Sequence, residues 1–158
     1  MADQTYPGAS ATPQQICALA DEYRKAADEL TKLGHAGKPL TRAPFRLVAI
    51  QAIELYLSAL LLHQGHTQSD VRALQHDLSA RATRARQGGL ALRELTLKHL
   101  GELSESREYL VTRYGPELAS TASQINRLTA TLGEVAKKVG AAMKKPPLRP
   151  AAGVTRLA

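Results

Sequence analysis

The segment 47-LVAIQAIELYLSALLL-62 limits what this chain can fold into more than any other. Its apolar residues run almost all the way round a helix, so that helix must be surrounded by partners rather than laid on a surface. The run is short for a bilayer and carries Gln51 and Glu54, each costly in hydrocarbon, which points to a buried helix and not to a membrane span. What surrounds it follows from composition: aromatic residues make up only 4% with no Trp, while Ala and Leu abound. Such a chain packs helix on helix rather than building a sheet from aromatic and β-branched residues. A length of 158 residues suffices for one domain with a core. The expectation is an all-α domain.

Apolar spacing divides the chain into about five helices. Thr12 followed by Pro13 opens the first, over residues 13–33, with Ile16, Leu19, Tyr23, Ala26, Leu30 and Leu33 at three- and four-residue steps. Pro44 opens the second, which runs to His63 and should be the most buried. Ser69 is a candidate cap for a third, whose stripe Val71, Leu74, Leu78, Ala82 and Ala85 ends at Gly88 and Gly89. Residues 90–112 resume helical spacing, either as one helix or as two broken near Gly101 and Ser104. After 113-RYGP-116, Leu118, Ile125, Leu128, Leu132, Val135, Val139 and Met143 define a long final helix. Short links between one-striped helices predict an antiparallel, up-and-down bundle over residues 12–144. A disordered N-terminus (1–11) and a basic, Pro-rich disordered tail (145–158) are expected to flank it.

The formal net charge of +7 suggests an acidic partner until the charges are located. Lys137, Lys138, Lys144, Lys145, Arg149 and Arg156 supply six of them and no acid follows Glu134, leaving residues 1–136 at +1. The basicity is a property of the tail, and nucleic-acid binding by the body cannot rest on it. Cys17 is the sole cysteine, which rules out an intrachain disulfide and a cysteine-rich zinc site and fits a reducing, cytoplasmic setting. The N-terminus has no basic region leading into an apolar run, so no secretory signal is expected.

Three short pieces, taken in order, carry a family likeness: 51-QAIELYLSALLLHQG-65, a Glu-bearing central helix ending at a glycine; 76-HDLSARA-82, a His-Asp-Leu element; and 109-YLVTRYGP-116, a Tyr and Arg-Tyr turn before the last helix. In this the chain resembles the HEPN domain (higher eukaryote and prokaryote nucleotide-binding), over about residues 13–140. The resemblance implies a small helical bundle that pairs as a homodimer. It also implies a nucleotide or RNA as ligand and a nucleotidyltransferase-type protein or an antitoxin as partner.

Candidate site residues have a structural and a functional reading each. Asp77 is four residues before Arg81, so an exposed ion pair on one helix explains it simply. His76 lies opposite Leu74 and Leu78, where it can reach across a helix contact to Glu54, or else bind ligand with Asp77. Arg107, Tyr109, Arg113 and Tyr114 form a second set, since guanidiniums clamp phosphates and tyrosines stack on bases; the alternative puts Tyr109 in the core and Arg113 on helix-end carbonyls. Many HEPN ribonucleases carry an arginine, four to six residues and a histidine, which Arg93-ELTLK-His99 matches. In that role His99 would move the 2′-hydroxyl proton and Arg93 stabilise the phosphorane charge. A six-residue helical step turns about 600°, however, leaving the two side chains about 120° apart. His63 and His66 with His76 lack a carboxylate or cysteine to complete a metal set. No Gly-rich phosphate loop, G-x-S-x-G or H-E-x-x-H occurs. The sequence therefore predicts a ligand- or partner-binding bundle without cofactor or membrane contact. A metal-independent ribonuclease of the toxin type and a purely structural adaptor are its rivals.

Overall fold

A computed structural model describes residues 6–147. They form seven α-helices: α1 (Pro13–Leu30), α2 (Ala43–His63), α3 (Gln68–Ala73), α4 (Leu78–Gln87), α5 (Glu94–Glu105), α6 (Glu108–Tyr114) and α7 (Ile125–Met143). Short 3₁₀ turns occupy Thr31–Leu33, Pro39–Arg42 and Pro116–Thr121. Among the described residues no strand is present beyond an isolated bridge between His35 and Lys38, so the domain is all-α.

The central position expected of α2 is the one it occupies: it packs against α1, α3, α4, α6 and α7. Phe45, Ile53, Tyr56, Leu57, Leu60 and Leu61 are fully enclosed. The stretch Pro39–His63 is long and apolar enough to cross a membrane, its most apolar 18 residues having a mean hydropathy of 1.7, but 67% of those residues are buried within the domain. α1 begins at a capping box in which Thr12 Oγ1 accepts from the Gln15 amide at 3.1 Å and Gln15 Oε1 accepts from the Thr12 amide at 2.9 Å. It buries Ala20 and Ala27, whose small side chains let its backbone lie close to α2. The larger members of its stripe do not all follow: Leu19 is 45% exposed and Tyr23 36%.

One expected helix is divided, and residues 90–112, open to one helix or two, contain two. The third is α3 and α4, separated at Gln75, a non-glycine residue with φ of +49°. Its cap is Thr67, not Ser69, in a reciprocal pair with Asp70. Asp77 then caps α4, accepting from the Ala80 amide at 2.9 Å. An N-cap side chain competes with continuation of the preceding helix, and here the cap prevails. α4 ends as expected, at Gly88 and Gly89, the latter with φ of +107° that only glycine adopts cheaply. The stretch 90–112 divides at Arg107 (φ +52°, ψ +42°), whereas Gly101 sits inside α5. The last helix starts at Ile125, because Pro116–Thr121 forms a 3₁₀ turn that leaves Leu118 44% exposed.

Of the N-terminal segment, residues 7–10 form a turn. The Arg72 guanidinium stacks over the Tyr6 ring at 4.6 Å, and Gln68 Nε2 donates to the Ala11 carbonyl at 3.0 Å. Of the expected tail, residues 148–158 lie outside the described part. At its start, His63 Nε2 donates to the Lys145 carbonyl at 2.8 Å.

Candidate functional site

The polar centre of the bundle starts from Glu54, the one acid on the mostly apolar α2. Its carboxylate lies 3.4 Å from Arg81 Nη2 and 3.2 Å from His76 Nδ1, so the contact to His76 suggested by the sequence is present. Arg81 is not on the surface with Asp77: it is 3% exposed, donates from Nε to Ser58 Oγ at 3.1 Å and from Nη2 to the Val71 carbonyl at 3.3 Å. Burial lowers the pKa of the guanidinium, and Glu54 and Asp77 oppose that shift. The exposed Asp77–Arg81 ion pair is thus replaced by two separate tasks. Asp77 caps a helix, and Arg81 fixes Glu54 against α3 and α4.

Next to this hub, the turn between α3 and α4 faces the break between α5 and α6 across a polar groove of about 490 Å³. His76, Asp77, Arg107 and Tyr109 all line it, as do Gln75 and Ser104. The His76 and Tyr109 rings have centroids 4.8 Å apart and planes tilted by 35°. His76 remains 43% exposed while its Nδ1 faces Glu54. Ser104 Oγ accepts from the Ser79 amide at 3.2 Å, tying the start of α4 to α5. Arg107 is exposed, and among the described residues no carboxylate lies within ion-pair distance of it. Two non-glycine residues in left-handed backbone, Gln75 and Arg107, flank the same groove. Such a conformation costs an L residue about 1–2 kcal/mol, and it persists where surrounding structure demands it.

Other candidates fall elsewhere. Arg113 lines cavities at the end of α6 away from Arg107, and Tyr114, 77% exposed, shares a shallow cavity with Arg107; neither lines the groove that holds His76 and Tyr109. Arg93 occupies the N-cap position of α5 without a side-chain cap, its side chain 81% exposed and its Nε 3.4 Å from Glu134 Oε1. His99 is enclosed, 1% exposed, its Nδ1 2.7 Å from Thr131 Oγ1. Burial pulls its pKa below the ordinary histidine value, favouring the neutral ring, and its Nε2 has no hydrogen-bond partner among the described residues. One subunit therefore does not bring Arg93 and His99 to a common surface. Among the described residues no group of three His, Cys, Asp or Glu side chains gathers as a metal site, and the His63 ring is turned to the Lys145 carbonyl.

Sequence reasoning missed Arg46 and Glu108. Glu108 is 2% exposed, accepts from the Ser123 amide at 2.6 Å and from Ser123 Oγ at 3.2 Å, and lies 3.6 Å from Arg46 Nη1. Arg46 in the first turns of a helix bound to be buried was the available signal, since such a charge demands a counter-ion. Comparison with known protein families, curated proteins and solved structures gives no match.

Proposed function

We propose that this chain is a HEPN-like binding module that takes a nucleotide, free or within single-stranded RNA, in the groove between the α3–α4 turn and the α5–α6 break. The observation that carries the reading is the conjunction of a His76–Tyr109 ring pair with an Arg107 that has no carboxylate to neutralise it. Base faces stack on aromatic side chains at about 1–3 kcal/mol each, and a guanidinium without an internal partner is available to a phosphate. Asp77 uses Oδ1 as a helix cap, which leaves Oδ2 to accept from a ribose hydroxyl. The same carboxylate keeps phosphate away from the start of α4 and so directs it towards Arg107.

The module acts by binding rather than by cleavage, in the cytoplasm, as a homodimer whose contact includes the half-exposed Leu19 and Tyr23 of α1. A nucleotidyltransferase-type protein is the partner class that the family resemblance suggests. The ribonuclease reading is less favoured, because the enclosed His99 has no path to a 2′-hydroxyl within one subunit.

Titration of ¹⁵N-labelled protein with AMP, and separately with ribose 5-phosphate, tests the proposal. AMP should shift the amides of residues 74–80 and 104–109 saturably, and ribose 5-phosphate the same amides at least tenfold more weakly, because it lacks the base. Absence of saturable AMP shifts, or shifts confined to other surfaces, would reject it.

A further inference from the structure

A shallow cavity of about 300 Å³ runs along one face of α6 to the Pro116–Thr121 turn. Arg107 lines its beginning and Tyr114 its far part, and Arg107 also lines the groove of His76 and Tyr109, so the two depressions meet at one guanidinium. Arg107, Leu110, Val111 and Tyr114 follow one another at three- and four-residue steps, which places them on a single helix face. Leu110 and Val111 are half-buried and Leu118 is 44% exposed, and together they give the cavity an apolar floor. Tyr114 is 77% exposed and pairs with no other ring among the described residues. Charge is graded along this face: Arg107, with no carboxylate to neutralise it, is at one end, and Glu117, the single acid of the lining, is at the other.

We propose that this cavity is a second base subsite, so that the ligand of the module is a stretch of single-stranded RNA of at least two nucleotides and not a free mononucleotide. The inference rests on the nucleotide reading of the His76–Tyr109 groove and extends it. The phosphodiester between the two nucleosides sits at Arg107, where the depressions meet, and the second base lies on the Tyr114 ring beside Leu110 and Leu118. Glu117 repels phosphate from the far end, which leaves that end to the uncharged base. At ~30 Å³ per water the cavity holds about ten waters' worth of ligand, enough for one base with its ribose. Tyr109 and Tyr114 are five residues apart on α6, about 7.5 Å along its axis and about 140° round it. Neighbouring bases in a stacked strand are about 3.4 Å apart, so two bases on these rings are unstacked from each other. A double helix does not meet that spacing, whereas a flexible single strand does, and stacking on tyrosine tolerates any base.

The test compares, on the full ¹⁵N-labelled chain, the dinucleoside phosphate ApA with the methyl ester of AMP, which has the same charge and a phosphodiester but only one base. Both should shift the amides of residues 74–80 and 104–109 saturably. Only ApA should also shift those of Leu110, Val111, Gly115 and Leu118, and it should bind at least fivefold more tightly. Tyr114→Ala should reduce ApA to the affinity of the methyl ester and leave the methyl ester unchanged, whereas Tyr114→Phe, which keeps the ring, should retain the parent's preference. The side chain is mostly exposed, so the helical circular dichroism of both variants should match the parent's. Equal affinity of the two ligands, or a Tyr114→Ala chain that still prefers ApA, would overturn the inference while the nucleotide groove stands. A Tyr114→Ala chain that keeps the preference but shows half the parent's mass in light scattering would overturn it by assigning the surface to the pairing of two chains. Absence of saturable shifts with either ligand would reject the groove and the second subsite together.

Discussion

Asp77 and His76 are adjacent, but the structure assigns them different physical tasks, and single substitutions should separate these. Asp77→Ala removes the cap of α4 and should cost about 1 kcal/mol, whereas Asp77→Ser, which keeps a capping oxygen, should stay within about 0.5 kcal/mol of the parent in urea unfolding. His76→Ala leaves Glu54 paired with Arg81 and removes a half-exposed ring, so its cost should be about 1 kcal/mol or less. Arg81→Met should cost about 3 kcal/mol, because it strands the mostly buried Glu54 with His76 alone. His99 adds a pH dependence of known sign. Its folded pKa lies below the ordinary 6.5, so the unfolded chain binds the proton more readily. Stability from this group is complete above about pH 6.5 and is lost as pH falls through 6.5 towards the folded value. Melting temperatures between pH 5 and 8 should therefore rise with pH less steeply in His99→Gln than in the parent, and equal slopes would count against the buried neutral ring.

At the scale of elements, apolar spacing was a reliable guide to which residues face the core and a poor guide to where helices stop. Leu78, Ala82 and Ala85 are buried as their spacing implied, and so is Val71 on the other side of the break. A turn that joins two helices on one face keeps the three- and four-residue steps running across it, so the 74–78 interval looked unbroken. Neither break carries a glycine or proline to mark it: the left-handed residues are Gln75 and Arg107. Tertiary demands fix them, a cap at Asp77 in one case and the inward placement of Glu108 and Tyr109 in the other. The same demands explain the candidate site. Glu54 and its link to His76 were legible from a lone acid on an apolar helix, while the absence of Arg113 and Tyr114 from the groove of Arg107 and Tyr109 depends on how α6 is aimed, which no local pattern records. Because Gln75 pays a conformational penalty that glycine avoids, Gln75→Gly should stabilise the domain by about 0.5–1 kcal/mol, seen as a rise of about 1–4 °C in melting temperature.

For the whole molecule, a buried polar hub on α2 holds together a bundle whose exposed features lie at the α3–α4 and α5–α6 turns and along α1. The half-exposed Leu19 and Tyr23 support pairing of two chains, and light scattering at micromolar concentration should give twice the 17.0 kDa chain mass. A mass of one chain would remove the homodimer from the proposal while leaving the groove intact. The claim at the centre is that Arg107 is held in a strained conformation to present its guanidinium to a phosphate beside the His76–Tyr109 rings. Arg107→Gly tests it most directly, because one substitution removes the guanidinium without a loss of stability. Relief of the left-handed strain should raise the melting temperature or leave it unchanged, while AMP affinity, measured by amide shifts at residues 74–80 and 104–109, falls at least tenfold. A folded Arg107→Gly chain that binds AMP as tightly as the parent would contradict the account.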